Sequence, residues 1–431
     1  MSTLNNDQSH MTMFCGEAVV WTPRMLAALA NGVKGGKWHS LMDKVYAPNT
    51  LALAWTKVRA NKGAGGVDAM SIRKFESRQT QYLHELHEAL KNRYYRPRAV
   101  KRVMIPKADG SERPLGIPTV KDRIVQMAIK IVLEPIFERD FSNDSYGFRP
   151  QRNAKDALRE VNKQLRAGSS WVVDADIKGY FDAIDHTLLI ALLREKIADQ
   201  TLLELIASYL TQSIFDGTDE WTPITGSPQG AVLSPLLANI YLTGLDNVIG
   251  EDHKIIRYAD DFVILCRSQA EAEAALEKVT QWMTAHRLTL HPSKTKLCHE
   301  ASDKKGFDFL GYNFCRGWRT ARAKAIKGVR DKIRQQTGRK PGKSLRAVIA
   351  ALNPILRGWF EYFKHAQHRL FCSIDGFVRR RLRSILRKYQ KKHSGTGRNV
   401  LDHKAWPNTF FAKLGLFTMH EAYVQASKSR C

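Results

Sequence analysis

Two acidic clusters in this sequence have residue types and spacing that could do chemistry. In Tyr258-Ala-Asp-Asp261 two adjacent carboxylates interrupt apolar sequence, with Ile255-Ile256 before them and Phe262-Val-Ile-Leu-Cys266 after. That pattern predicts a β-hairpin with the acids at its tip. A hairpin that needed only a turn would favour Asn-Gly or Asp-Gly. Adjacent like charges repel unless a cation lies between them, and hard cations take carboxylate oxygen. The second cluster, Asp174-Ala-Asp176, ends a short apolar run, and residues two apart on a strand share a face. Taken alone, Asp-x-Asp is as readily a cap or a solvated surface. Set beside the hairpin, Asp176, Asp260 and Asp261 could hold two divalent ions roughly 3.5 to 4 Å apart, the clamp used for phosphoryl transfer.

Other elements must position these acids. Trp171 to Ile177 is short, apolar and partly β-branched, which predicts a strand, and Ile255 to Cys266 supplies the hairpin. Helical periodicity predicts helices over Gln81 to Tyr94, Ile124 to Phe137, Lys155 to Leu165, Thr187 to Glu195 and Glu271 to Arg287. Ala99 to Ile105 alternates apolar and basic residues as a strand does, Lys107-Ala-Asp-Gly-Ser then supplies a turn, and a short strand is expected near Leu288-Thr-Leu290. Beyond Trp318 the pattern is helical: Ala323 to Gln336, Leu345 to Ala351, Pro354 to Gln367 and Phe377 to Lys392, with Gly338 and Pro341 marking loops. The expected class is α+β, a body with a small central sheet followed by a basic helical module.

With 431 residues and 43% hydrophobic content, the chain can build two or three cores. No run approaches the roughly 18 to 20 apolar residues of a membrane helix, and the polar N-terminus lacks the pattern of a signal peptide, so a cytoplasmic protein with no membrane partner is expected. The cysteines (Cys15, Cys266, Cys298, Cys315, Cys372, Cys431) lie far apart with no C-x-x-C pair, which predicts reduced thiols and no zinc site. The charge is lopsided. From Ala301 onward there are 30 Lys and Arg against 7 Asp and Glu, a net +23 of the total +26, leaving +3 for the first 300 residues. A near-neutral body joined to a strongly basic last third is the footprint of a protein that tracks a phosphate backbone. A solvated basic tail is the alternative, but Trp359, Phe360, Tyr362, Phe363 and Phe377 alternate with these charges at helical spacing.

The sequence resembles the reverse transcriptase and maturase family encoded by bacterial group II introns. The resemblance runs from about Gly63 to Tyr423. It rests on Gly65-Gly-Val-Asp68, Ile105-Pro-Lys107, Arg113-Pro-Leu-Gly-Ile-Pro118, Tyr146-Gly-Phe-Arg-Pro150, Asp176-Ile-Lys-Gly-Tyr-Phe-Asp182, Gly226-Ser-Pro-Gln-Gly230, Tyr258-Ala-Asp-Asp261, Phe309-Leu-Gly-Tyr312 and Leu352-Asn-Pro-Ile-Leu-Arg-Gly-Trp359, all in order.

The resemblance implies a right-hand polymerase. Residues 1–60 would form an N-terminal extension, 61–320 fingers and palm, 321–392 a helical thumb and maturase domain, and 393–431 a basic C-terminal segment. It implies Asp176, Asp260 and Asp261 as ligands of two Mg2+ ions. Lys107 and Arg113 would grip the triphosphate as charge-assisted donors. Gln229 would lie along the incoming nucleotide, with Gly226 and Gly230 letting backbone approach closely. Phe181 would exclude a 2′-hydroxyl by bulk, and Lys294 or Lys296 would act near the pyrophosphate.

For the basic third it implies contacts to intron RNA from Arg357, Trp359, Arg379, Arg380, Arg381 and Arg383, carried by phosphates and 2′-hydroxyls. The expected partners are the group II intron RNA, an RNA template with DNA primer, target DNA and dNTPs. The chain stops at Cys431 without the paired cysteines and His-Asn-His elements of relatives that carry a DNA endonuclease, so mobility is expected to use a pre-existing DNA 3′ end. Competing readings are an RNA-binding splicing cofactor with a vestigial active site, a domesticated defence-related reverse transcriptase, and an RNA-templated RNA polymerase. Retention of the three carboxylates with Lys107, Arg113 and Gln229 argues against the first, the maturase-like segment against the second, and Phe181 against the third.

Overall fold

The structure is a computed structural model. It describes residues 20–33, 35–106, 110, 112–338, 342–390 and 400–428. The chain forms two compact units. One comprises Met1–Ala157, Ala175–Phe262 and Glu273–Thr295, the other Leu158–Asp174, Val263–Ala272 and Lys296–Cys431.

In the first unit the helix Val120–Glu138 is buried along nearly its whole length and packs on the helix Pro48–Ala60. Thr119 caps it, its hydroxyl accepting from the Asp122 amide at 3.1 Å. Asp122 in turn accepts from the Tyr95 hydroxyl at 2.6 Å, so the chain entering β1 is tied to this core helix. Strands β1 (Val100–Pro106) and β2 (Glu112–Ile117) pair antiparallel with Ile105 opposite Arg113. Two very short strands, β4 (Ile214–Phe215) and β5 (Glu220–Trp221), extend this sheet in the order β2-β1-β4-β5.

The acids lie on a second sheet, of order β6-β7-β3-β8, built from β3 (Trp171–Asp176), β6 (Lys254–Tyr258), β7 (Asp261–Cys266) and β8 (Lys296–His299). The chain passes from one unit to the other within β3 and within β7.

The second unit holds a three-stranded antiparallel sheet absent from the sequence expectation: β9 (Phe307–Phe309), β10 (Tyr312–Cys315) and β11 (Trp318–Ala321). Both of its loops have two residues, Leu310-Gly311 and Arg316-Gly317, all four at positive φ, as tight hairpin turns require. The Phe309-Leu-Gly-Tyr312 motif is thus a turn sequence. Tyr312 donates to the Tyr362 carbonyl and Tyr362 to the Leu310 carbonyl, both at 2.7 Å, so the turn is clasped to the helix Leu345–Phe363.

Several expectations change. Leu345 to Ala351 and Pro354 to Gln367 are one helix, Leu345–Phe363, that runs through Pro354. The proline sits on the exposed side while Val348, Ile349, Leu352, Leu356 and Phe360 form an unbroken buried stripe, and burial of that stripe outweighs one lost backbone bond. Phe377 to Lys392 belongs to a longer helix, His368–Tyr389. The strand expected at Leu288-Thr-Leu290 is a single bridge from Leu290 to Ile177. Among the described residues no helix is long and apolar enough to cross a membrane. Cys266, Cys298, Cys315 and Cys372 are free thiols, and Cys15, Cys431, Pro341 and most of the Lys107 turn lie outside the described residues.

The last helix, Met419–Lys428, is held by a cap from elsewhere in the chain. Asp375, 3% exposed on the helix His368–Tyr389, accepts from the amides of Met419 at 3.1 Å and His420 at 2.9 Å. Losing such a cap costs about 1–2 kcal/mol. Asp375→Ala should therefore lower the melting midpoint of the second unit by about 3–6 °C in calorimetry of the full chain. An unchanged midpoint would show that the cap contributes nothing.

Candidate active site

Asp176 ends β3, Asp261 begins β7, and Asp260 sits in the turn before it. Asp176 is paired: the Lys294 Nζ lies 2.5 Å from its Oδ2. Asp260 is partly shielded from solvent. Its carboxyl is pushed above the ordinary range, first by burial and then by the charge of Asp176, while Arg113 and Lys294 pull it back. Among the described residues no three His, Cys, Asp or Glu side chains are gathered tightly enough to ligate one ion. The donor chemistry still fits a hard divalent cation, because Asp176, Asp260 and Asp261 are carboxylates and the charge of Asp176 is felt at Asp260.

The two candidate lysines separate. Lys294 reaches Asp176, whereas Lys296 sits in β8 opposite Asp174 and pairs with it at 3.3 Å. Asp174 is largely buried, and burial pushes its carboxyl up to about 6 despite Lys296. Lys294 is therefore the lysine that touches a candidate metal ligand.

Arg113 on β2 donates from Nε to the Gln229 Oε1 at 2.7 Å, joining two of the expected nucleotide residues. Phe181 packs edge-on against Phe148 with ring centroids 6.4 Å apart, and Phe148 is largely exposed at positive φ. Phe148 thus extends the aromatic wall, a role the sequence reading did not give it. Lys107 lies outside the described residues.

The glycines of Gly226-Ser-Pro-Gln-Gly230 have close neighbours within the protein itself. A Cβ on Gly226 would stand 2.9 Å from the Asp182 Cα, and one on Gly230 would stand 2.5 Å from the Gly116 carbonyl oxygen. The close approach is to the protein's own backbone. The loop is laced there by Gly226 and Ser227 amides donating to Ile184 and Phe181 carbonyls at 2.8 and 2.7 Å, and by the Gly116 amide donating to the Gln229 carbonyl at 2.7 Å. Phe181, Gln229 and Arg113 are in this way fixed to one another through backbone.

Tyr146-Gly-Phe-Arg-Pro150 does the same for the acidic turn. The Tyr146 amide donates to the Arg257 carbonyl at 2.8 Å, and a Cβ on Gly147 would meet the Ala259 nitrogen at 2.3 Å. Arg149, 6% exposed, anchors this segment by donating to Glu138 at 2.8 to 3.1 Å and to the Ser145 carbonyl at 2.8 Å.

In the second unit the expected RNA-facing residues divide. Arg357 is exposed over the Phe417 ring, and Trp359 is half-buried, 4.6 Å from Phe363, with an indole N–H that has no partner. Arg379 and Arg380 are half-buried. Arg381 is a strut, its Nε donating to the Thr337 hydroxyl at 3.0 Å. Arg383 does not face solvent. It is 2% exposed and its guanidinium donates to the Trp406 carbonyl and to Asn408 Oδ1, both at 3.0 Å, because a buried guanidinium must find acceptors. The sequence reading missed a grouping of Arg330, Arg334 and Arg380, each 5.4 to 5.7 Å from the Phe377 ring. The i, i+4 spacing of Arg330 and Arg334 was its signal.

Residues 105–314 match the family described as Reverse transcriptase (RNA-dependent DNA polymerase), and residues 326–405 match the Group II intron, maturase-specific domain. They define an α+β reverse transcriptase domain with small sheets followed by a helical maturase-type region. The chain belongs to the group II intron reverse transcriptase/maturase family. It is 32% identical to protein YkfC of Escherichia coli over 340 residues, which is 68% of this chain and 87% of that protein. It is 37% identical over 203 residues to the group II intron-encoded protein LtrA of Lactococcus lactis, 47% of this chain and 34% of LtrA. A third relative, an uncharacterized 91 kDa protein in the cob intron of Schizosaccharomyces pombe, is 29% identical over 74% of this chain and 49% of its own length. The chain thus spans most of YkfC but about a third of LtrA. Polymerases of this family use divalent metal.

Gly147→Ala tests the packing of the acidic turn. The added methyl must displace Ala259 and with it Asp260, and a shift of about 1 Å at a reacting centre lowers turnover on the order of 100-fold. Steady-state primer extension should show that fall in kcat at normal RNA affinity, and wild-type kcat would show that the turn absorbs the methyl.

Proposed function

We propose that this chain copies RNA into DNA using two Mg2+ ions held by Asp176, Asp260 and Asp261, and that it binds its own group II intron RNA to assist splicing and intron mobility. The observation that carries this reading is the pairing of its candidate residues within one unit: Lys294 lies 2.5 Å from Asp176 and Arg113 donates to Gln229 at 2.7 Å. When bound, the metal would activate the primer 3′-hydroxyl and neutralise the leaving pyrophosphate. The chain's own groups do the rest. Arg113 binds triphosphate oxygens and holds Gln229 along the nucleotide, and Lys107 adds a second charge to the triphosphate. Phe181, backed by Phe148, packs under the sugar and leaves no room for a 2′-hydroxyl. Lys294 brings positive charge and a transferable proton to the Asp176 side of the site.

Fingers and palm over 61–320, a thumb and maturase module over 321–392 and the basic segment 393–431 are the working division of labour. The substrates, dNTPs with intron RNA, a primed template and target DNA, belong to the bacterial cytoplasm. The decisive experiment supplies full-length protein with a primed generic RNA, Mg2+ and either dNTPs or NTPs. Wild type should extend with dNTPs only, Asp260→Asn/Asp261→Asn should not extend, and Phe181→Ala should also accept NTPs. No extension by wild-type protein that still binds RNA would leave the RNA-folding cofactor as the function.

For RNA binding the argument is charge. The helices Ala323–Gln336 and His368–Tyr389 carry 12 Lys and Arg against Asp331 and Asp375, and Asp375 is committed to its cap. Arg330→Gln/Arg334→Gln should reduce the slope of log affinity for intron RNA against log salt by roughly 2 while primer extension is retained. An unchanged slope would remove these arginines from the RNA surface.

A further inference from the structure

The acidic turn is gripped from inside the protein by a residue that no part of the proposed chemistry uses. Arg257 lies on β6, three residues before Asp260, and its side chain is fully buried. Its Nε and Nη2 donate to the two carboxylate oxygens of Asp246 at 2.7 and 2.5 Å. That bidentate pair satisfies its charge and leaves Nη1, which is turned to the active-site end. Nη1 donates to the Ala259 carbonyl at 2.9 Å and to Asn239 Oδ1 at 3.1 Å. Asn239 donates onward to the Gly147 carbonyl at 2.9 Å. Asp246 and Asn239 are seven residues apart on the helix Ser234–Gly250, two turns and hence one face. One helix therefore holds the turn through the Arg257 guanidinium and the segment packed against it through Asn239.

Ala259 needs such a grip. Its φ is +61°, a conformation that L-residues other than Gly and Asn rarely adopt, and it immediately precedes Asp260. Its carbonyl, fixed by Arg257, is the plane from which the Asp260 backbone departs. A lysine could not replace this, since one ammonium cannot span Asp246 in a fork and reach the turn as well.

We propose that Arg257 is a positioning residue for polymerisation: by holding the Ala259 carbonyl it sets the direction of Asp260 without touching substrate. The proposal rests on Asp260 being a metal ligand, as argued above. Removing one partner of a buried pair leaves an unpaired charge and can unfold a protein, whereas replacing both with apolar residues of similar size is often tolerated. The test therefore uses Arg257→Met/Asp246→Leu in the full chain, with Arg257→Lys as a second variant that keeps a positive charge for Asp246 and withdraws the donor to the Ala259 carbonyl, and Asp260→Asn in parallel.

Three quantities are read: the melting midpoint, Mn2+ affinity from the paramagnetic spectrum of the free ion, and kcat with KM for dNTP in primer extension. The double variant should melt near wild type, bind Mn2+ several-fold more weakly and lose about 10- to 100-fold in kcat at unchanged KM for dNTP. Arg257→Lys should move kcat and Mn2+ affinity in the same direction by less, and it decides the matter if the double variant does not fold. Wild-type kcat and Mn2+ affinity in a folded variant would reduce Arg257 to a core residue. If Asp260→Asn keeps full activity, the metal-ligand assignment fails instead, and the two failures are told apart.

Discussion

Carboxylates brought to one point repel, and the first unit is organised around that constraint. The charge of Asp176 raises the cost of charge on Asp260, and the two sit at the end of β3 and in the turn before β7, where repulsion would make them drift apart. Two kinds of interaction oppose the drift. Positive charge is supplied at the acids themselves by Lys294 and, over a longer reach, by Arg113. The backbone beneath them is fixed by buried guanidiniums that never meet solvent: Arg257 on Asp246 and the Ala259 carbonyl, Arg149 on Glu138 and the Ser145 carbonyl. Buried ion pairs are often poor sources of net stability. Here each spends its remaining donors on a backbone carbonyl near the acids, so what it supplies is geometry.

The second unit uses the same residue type in opposite ways. Arg383 and Arg381 are interior ties, satisfied by Trp406, Asn408 and Thr337, and they hold the helices that carry the surface charge. Arg330 and Arg334 share the Phe377 ring with Arg380. A guanidinium beside an aromatic ring is held by it and is more weakly hydrated than an ammonium, which suits phosphate oxygen. The high charge of the last third is therefore a composite of scaffold and surface, and only the surface part can answer to salt.

Much of this was legible in sequence. β3, the acidic hairpin and the core helix Val120–Glu138 were readable because long apolar runs with one period leave little choice of structure. The short strands were not: β4 and β5 have two residues each, and β9 to β11 are set by turns at positive φ as much as by strand propensity. Pro354 misled because the sequence shows the missing N–H and not the buried stripe that overrides it. Arg383 misled because a run of arginines gives no sign of which one turns inward. One warning was present. Arg257 is a charge set between Ile255-Ile256 and the acids, in a strand otherwise buried, and such a residue must have a buried partner.

The glycine motifs give the clearest step from sequence to mechanism. Read as text, Gly226 and Gly230 suggest a loop that lets a nucleotide approach. In the fold their missing side chains face Asp182 and Gly116, and that of Gly147 faces Ala259. Each marks a place where two backbone segments touch with no room for a methyl group, and each junction joins a segment bearing one of the candidate site residues to the segment beside it. Catalysis tolerates errors of a fraction of an ångström. Side-chain packing alone leaves rotamers free to absorb a shift, whereas backbone in contact with backbone does not. The short motifs are the joints at which the segments bearing the acids, Phe181 and Gln229 are held in register.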